Sequence, residues 1–443
     1  MDKGRVGLLA ATSVNMISMI GVGPFITLPL MVQAMHGPHI IYAWLVGAVL
    51  AACDGLVYAH FAGALPGTGG PYVYLREAWK PLGVGRLMGF VFIFQMLLVG
   101  PLNIASGAIG FADYIQAYGV HVTPLQHNLI AAGLCLFMTA LLWRNIESAG
   151  RLSEIMLGGV LLTMAWVIVA GLAHFSWSQA FTFPTEAYSF NPDLGKHIAA
   201  VSLLAMYNYM GYSTVCFIGD EVDRPHETMP RAIMLSIVAV VCLYILFSTV
   251  VLGTLDWQQV RDSTQIGATF IAAVYRNPQT AWYASKLMVT LILFVTATSL
   301  YAYLLGVSRV PYAAACNGQF FRIFSRTHPT LNFPYVSLLA AGLSAVPFCF
   351  VSLGDVVNWL MLVQIVSQFI WQCAGIMMLQ SLRKDVEKPY RMMLYPIPAI
   401  LSLIIWMGIF VTGDWPGQRF SLIFLAVAVA AGLLYERLHP QVD

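Results

Sequence analysis

Apolar runs long enough to cross a bilayer recur along this chain from end to end, and they restrict its fold more than any single residue does. Twelve are found, at about 6–34, 40–63, 87–118, 125–143, 152–174, 197–219, 232–255, 283–307, 334–353, 356–380, 395–413 and 420–436. A helix needs about 20 apolar residues to traverse a hydrocarbon layer of about 30 Å. Within that layer water cannot reach backbone N–H and C=O groups, so each run is expected to satisfy them internally as an α-helix. Of the 443 residues, 59% are hydrophobic and 9% charged, against about 25% charged in soluble domains. The expected fold class is an all-α membrane protein of 12 transmembrane helices, one domain over residues 1–443 with the lipid bilayer as its solvent.

The charges fall between the runs and set an orientation. With a cytoplasmic N-terminus, 17 of the 22 Lys and Arg lie on the inner side, and five (Lys196, Arg261, Arg276, Lys286 and Arg419) on the outer side. The positive-inside rule selects this arrangement, with both termini cytoplasmic, in an integral, multi-pass protein of the plasma (inner) membrane. Lys3 and Arg5 ahead of the first run mimic a signal peptide. That run is too long and lacks an Ala-x-Ala cleavage site, so it is expected to remain as the first span. A net charge of +2 offers no basic face to nucleic acid. The seven cysteines show no CxxC or Cys/His spacing; they read as small buried hydrophobes, and neither a metal nor a cofactor is expected.

Two runs are interrupted unlike the others. The first carries Gly21-Val22-Gly23-Pro24 and the sixth Asn208-Tyr209-Met210-Gly211-Tyr212-Ser213, both near the middle of the span. A helix broken in hydrocarbon exposes backbone groups that lipid cannot satisfy, so each break must line a cavity or face a polar partner. The breaks lie five spans apart, an odd number, and so form an inverted pair if the halves are alike, which is the arrangement of a transport site. A zwitterion suits them: the half-helix beyond Gly23 offers free N–H groups and a positive dipole end to a carboxylate, and carbonyls of the sixth-span break can accept from an ammonium.

These residues resemble the amino acid, polyamine and organocation transporter superfamily. Its first-span Ile-Gly-x-Gly-x-Phe is matched by Ile20-Gly21-Val22-Gly23-Pro24-Phe25, and its Pro-x-x-Gly-Gly-x-Tyr-x-Tyr by Pro66-Gly67-Thr68-Gly69-Gly70-Pro71-Tyr72-Val73-Tyr74. Gly219-Asp220-Glu221-Val222-Asp223-Arg224-Pro225, Met229-Pro230-Arg231-Ala232 and Ser308-Arg309 are similar to its later motifs, so the likeness covers nearly the whole chain. The resemblance implies the leucine-transporter type of fold: two inverted five-helix repeats, about 6–174 and 197–380, then two terminal helices at about 395–436. It further implies an amino acid permease working by alternating access as symporter or antiporter. The implied substrate site comprises Ile20, Gly21, Val22 and Gly23 at the carboxylate and Tyr207, Asn208, Gly211 and Tyr212 around the amine and side chain. Asn103 of span three is expected to complete the pocket, and Thr296, Thr298 and Ser299 of span eight are polar at the same depth.

Departures from the family pattern refine the expectation. Pro24 has no N–H, which removes one carboxylate donor. Ser213 stands where many relatives carry an acid, which favours a small neutral amino acid over the alternative of a polyamine or cationic amino acid. No lysine occurs within 152–174, where some relatives keep one for coupling, so proton or sodium coupling and exchange all stay open. Asp54 lies inside span two, where an acid costs about 2.5 kcal/mol or more; it is a candidate for coupling, or else packs with a neighbouring Tyr or Ser. Asp113 and Glu154 lie nearer span ends. Asp220, Glu221, Arg224 and Arg231 at the inner end of span six are candidates for a charge-paired gate. No HExxH, Walker A loop or GxSxG in a strand-turn-helix setting is present, so an enzyme is not expected.

Overall fold

The computed structural model describes residues 6–67, 69–144, 149–183, 192–329, 333–387 and 389–439. Of the residues singled out above, Lys3, Arg5, Thr68 and the side chain of Glu154 lie outside the described residues. The described chain is helical, apart from one parallel bridge between Val6 and Val222.

Helices α1 (Leu8–Met19) and α2 (Gly23–Met35) form one span bent by 48° at the residues between them. They are followed by α3 (Ile41–Ala64), the short α4 (Pro71–Trp79), α5 (Gly85–Ile115), α6 (Pro124–Arg144), α7 (Ala149–Leu172) and the short α8 (Trp177–Phe181). Next come α9 (Pro192–Tyr209), a 3₁₀ stretch over Thr214–Glu221, α10 (Pro225–Thr254), and two short helices, α11 (Trp257–Arg261) and α12 (Ile266–Val274). The chain continues with α13 (Pro278–Cys316), α14 (Tyr335–Ala345), α15 (Leu353–Gln364), α16 (Ile370–Leu382), α17 (Ile397–Thr412) and α18 (Trp415–Leu438). A π-helical turn at Ile365–Phe369 joins α15 to α16.

The twelve predicted runs are realised less evenly than their hydropathy implies. Seven helical stretches, and the bent pair as an eighth, are long and apolar enough to cross a membrane, while Gly158–Leu172, Tyr335–Phe350 and Ile397–Thr412 are shorter. Proline explains part of the difference. Pro347 cuts α14 short and leaves a 3₁₀ turn over Pro347–Phe350, because a proline ring clashes with the preceding helical turn. Starts are specified locally as well: Pro24, Pro71, Pro225 and Pro278 open their helices, where a missing N–H costs nothing. Asn277 caps α13 by accepting from the N–H of Gln279 at 2.9 Å and of Thr280 at 3.3 Å.

The core forms where α3 packs on α10 and α9, α1 on α10, and α5 on α13 and α15. Over 18 apolar residues of the Leu353–Leu382 stretch 72% are buried, against 22% over 18 residues of α18, so α18 lies at the periphery with its apolar side chains facing outward. Inside a bilayer that face meets lipid, which is as apolar as leucine.

Candidate functional site

The first interruption leaves backbone donors free at a helix start. The Ile20 N–H still donates to Met16 O at 2.7 Å and that of Gly21 to Met19 O at 3.2 Å, and Phe25 N–H donates to Val22 O at 2.9 Å. Among the described residues no backbone acceptor lies opposite the N–H of Val22 or Gly23, and Pro24 carries none. These N–H groups sit at the N-terminal, electropositive end of α2. The interruption is stabilised from behind by Tyr244, whose hydroxyl donates to Met19 O at 2.7 Å.

The second interruption is pressed directly onto the first. Gly211 takes φ +116°, and a Cβ there would stand 2.7 Å from Ser18 C and 2.9 Å from Met19 N. Glycine is required twice over, by the dihedral and by the approach of one backbone to the other. Asn15 fixes the same junction: its Oδ1 accepts the Val215 N–H at 2.8 Å. Asn15 was not foreseen as a site residue, although a lone amide in an apolar run was the available signal.

Asn208 lies over Gly23. Its Nδ2 donates to Thr27 Oγ1 at 2.8 Å and to Leu204 O at 2.7 Å. Its Oδ1 has no partner, and a Cβ on Gly23 would lie 2.5 Å from it. The residue is 2% exposed, and a buried acceptor left without a donor costs about 1–3 kcal/mol. Tyr207 is held against α5: its hydroxyl pairs with Ser106 Oγ at 2.9 Å, and that hydroxyl donates to Asn103 O at 2.7 Å. Ser299 Oγ, also without a partner, lies 3.9 Å from a Cβ built on Gly21. Gly21, Gly23, Asn103, Tyr207 and Gly211 retain partial exposure among neighbours such as Ile20, Val22 and Tyr212, which are buried. Around these partly exposed residues lie the unpaired Asn208 Oδ1 and Ser299 Oγ and the N–H groups at the start of α2.

Comparison with known proteins decides what kind of molecule holds this arrangement. A family model described as amino acid permease matches residues 6–433. The chain belongs to the amino acid permease family. It is thus a transporter and not an enzyme. It is similar to Asc-type amino acid transporter 1 of Mus musculus, 24% identical over 420 residues that cover 91% of this chain and 75% of the relative. It is also similar to a branched-chain amino acid permease of Bacillus subtilis (strain 168), 21% identical over 460 residues covering 100% and 95%. A third relative, large neutral amino acids transporter small subunit 2 of Mus musculus, is 24% identical over 451 residues covering 98% and 80%.

Two further polar sites in this permease depend on tertiary contacts. Asp54 is fully buried in α3, and its Oδ2 accepts from the Tyr212 hydroxyl at 2.5 Å. Its Oδ1 accepts from Trp406 Nε1 at 3.3 Å and from Cys373 Sγ at 3.6 Å. The Tyr212 hydroxyl is therefore directed to α3. Asp113, the other acid at a span end, meets His127 Nε2 at 2.9 Å.

Between the 3₁₀ stretch and the start of α10 the charges pair differently from the expected gate. Arg231 lies 3.7 Å from Glu227 and Arg224 3.9 Å from Asp223, all well exposed. Because α10 starts at Pro225, Glu227 and Arg231 stand one turn apart on the same face, which favours their pairing. Among the described residues Glu221 forms no ion pair; its carbonyl accepts the Val6 N–H at 2.9 Å. A tighter ionic cluster sits elsewhere and was missed in the sequence. Glu77 of α4 pairs with Arg383 at 3.0 Å and with Arg76 at 2.9 Å, and Arg76 also donates to Tyr72 Oη and Gln319 Oε1, each at 3.2 Å. Burial acts to raise the Glu77 carboxyl, but the two guanidiniums outweigh it and hold it below the usual glutamate value. Sequence spacing gives no hint that positions 77 and 383 meet.

Proposed function

We propose that this permease carries small neutral amino acids across the plasma (inner) membrane by alternating access, as symporter or exchanger, with the substrate held between the two interruptions. The observation that carries this reading is the partnerless Asn208 Oδ1 over Gly23, beside unpaired N–H groups. A substrate ammonium satisfies the first, and a substrate carboxylate the second. Gly21, Val22 and Gly23 bind the carboxylate, with Ile20 ending the preceding turn; Asn208, the Gly211 carbonyl region and Tyr207 surround the amine and side chain; Asn103 supports Tyr207 through Ser106. Tyr212 acts by fixing the break through Asp54. The names of the relatives support neutral substrates: two refer to large neutral and branched-chain amino acids.

The same reading takes twelve spans in two inverted repeats, about 6–174 and 197–380, followed by terminal helices at about 395–436. Support comes from two interruptions five spans apart and from the distribution of Lys and Arg, 17 inside against five outside with cytoplasmic termini. A cationic substrate is disfavoured by the neutral Ser213 and by the lack of any Asp or Glu within residues 20–24 and 208–213 themselves.

Thermal stabilisation of the purified protein by a panel of amino acids and polyamines tests the reading. A ligand at about 100 times its Kd stabilises by about 2.7 kcal/mol. Stabilisation by neutral amino acids is expected; stabilisation by polyamines alone overturns the substrate class.

A further inference from the structure

We propose that Asp54 is a proton-binding site that loads together with the substrate, so that the permease is a proton symporter whose coupling runs from Asp54 through Tyr212 to the sixth-span break. The inference rests on the transport reading above and adds the ion and its site to it.

Three features of Asp54 lead there. First, the carboxyl is fully buried in the middle of α3, and among the described residues no Lys, Arg or His lies within ion-pair distance of it. Its titratable neighbours are Cys53 and Tyr58 on α3, Tyr212 from the break and Cys373 from α16, all neutral when protonated, while α17 contributes the indole of Trp406. His60, further along α3, is engaged by Gln380 and by the Met392 N–H at 3.1 Å. Closing the protein around an unpaired charge costs several kcal/mol, and a proton removes that charge. The closed form, which also carries the substrate, is the form with the greatest need of the proton, and this makes the two passengers travel together.

Second, the carboxyl contacts the break itself. Its partner Tyr212 directly follows Gly211, the residue that presses on Ser18 and Met19. The separation of 2.5 Å between Asp54 Oδ2 and Tyr212 Oη serves donation in either direction. When a proton from water adds to Oδ2, the carboxyl becomes the donor and the Tyr212 oxygen the acceptor; on release the proton returns to water on the far side, and no other bond changes.

Third, the same cluster includes the irregular turn of the tenth span. Phe369 of the π-helical segment stacks on Trp406 at 4.4 Å, and Gln368 donates to Tyr58, whose ring meets that of Tyr212 at 5.6 Å. Single π turns inside α-helices recur at functional sites. One proton thus bears on α3, the sixth-span break, the π turn and α17 at once.

Binding linkage makes the proposal quantitative: if the substrate tightens proton binding, the proton tightens substrate binding by the same factor. The test uses the full-length protein in liposomes with tritiated L-alanine, L-serine and L-leucine. With the wild type, a pH difference of one unit, acid outside, is expected to drive about tenfold accumulation, the factor that one coupled proton supplies. Asp54→Asn is expected to lose that accumulation and to exchange amino acid at a rate that no longer varies with pH. Tyr212→Phe, which removes the hydroxyl joining Asp54 to the break, is expected to lower accumulation and to shift the pH midpoint of the remaining uptake. Wild-type exchange without any response to the gradient, or undiminished accumulation by Asp54→Asn, overturns the proposal. Should Asp54→Asn fail to fold, a pH-indicator dye decides: wild-type protein is expected to take up a proton on binding the amino acid, and binding without uptake overturns it. Neither exchange nor uptake of any of the three would remove the transport reading itself, a distinct result.

Discussion

The two interruptions differ in what surrounds their glycines, and the difference separates binding from architecture. Gly23 faces the end of a side chain, Asn208 Oδ1, with Tyr207 beyond it. Gly211 faces fixed backbone at Ser18 and Met19 and itself adopts φ +116°. The chain also resumes differently: after Gly23 it re-enters an α-helix opened by Pro24, whereas after Gly211 it continues as a 3₁₀ stretch with a non-helical Ile218. The first break thus faces the end of a side chain that can move, and the second faces backbone that cannot.

Substitutions can break or sharpen that contrast. Gly211→Ala should have the largest effect, about 3 kcal/mol or more of destabilisation, because the left-handed dihedral costs about 1–2 kcal/mol and overpacking against backbone about 1–3 kcal/mol. Thermal unfolding of the detergent-solubilised protein reads it, and a variant as stable as wild type would erase the architectural role. Gly23→Val comes next and should abolish amino acid binding while the protein stays folded and monodisperse, since Asn208 can swing aside but a ligand cannot pass the new side chain. Retained stabilisation by neutral amino acids would count against a site at this break.

Asn208→Ala should cost about 1–2 kcal/mol through the lost bonds to Thr27 and Leu204, and should weaken binding beyond that; equal losses in free and ligand-bound protein would make Asn208 purely structural. Gly21→Ala should change stability by less than about 0.5 kcal/mol, because its nearest contact is Ser299 Oγ at 3.9 Å. The pH response of the Glu77 cluster lies furthest from either break. Glu77 is held below its usual value, so its contribution is complete above the ordinary carboxylate range and is lost as pH falls through the folded value. Glu77→Gln should flatten the acid limb of the unfolding profile while amino acid binding persists, and an unchanged limb would show that the cluster adds nothing.

Much of the frame was legible in the residue order. The interrupted first span was written in Gly21, Gly23 and Pro24, because glycine and proline act on the backbone within one turn. Asn208 was legible as a polar group at membrane depth. Residue order gives Asp54 only a nearby Tyr or Ser as partner and does not single out Tyr212, because side-chain direction beyond a broken helix depends on where the break leads the chain. Glu221 and Arg231 were grouped by nearness in sequence, yet the start of α10 at Pro225 gave Arg231 to Glu227.

By itself the sequence determined that this chain folds in lipid as helices, that two of them break, and which charges stay out of the hydrocarbon. These follow from local chemistry: apolar length, glycine and proline dihedrals, and the cost of burying charge. Only the tertiary structure decided which groups face each other across the breaks. Gly211 against Ser18, Asn208 over Gly23, and Asp54 among Tyr212, Cys373 and Trp406 join residues about 160 to 350 positions apart, and such contacts arise from how helices pack, which no local pattern encodes.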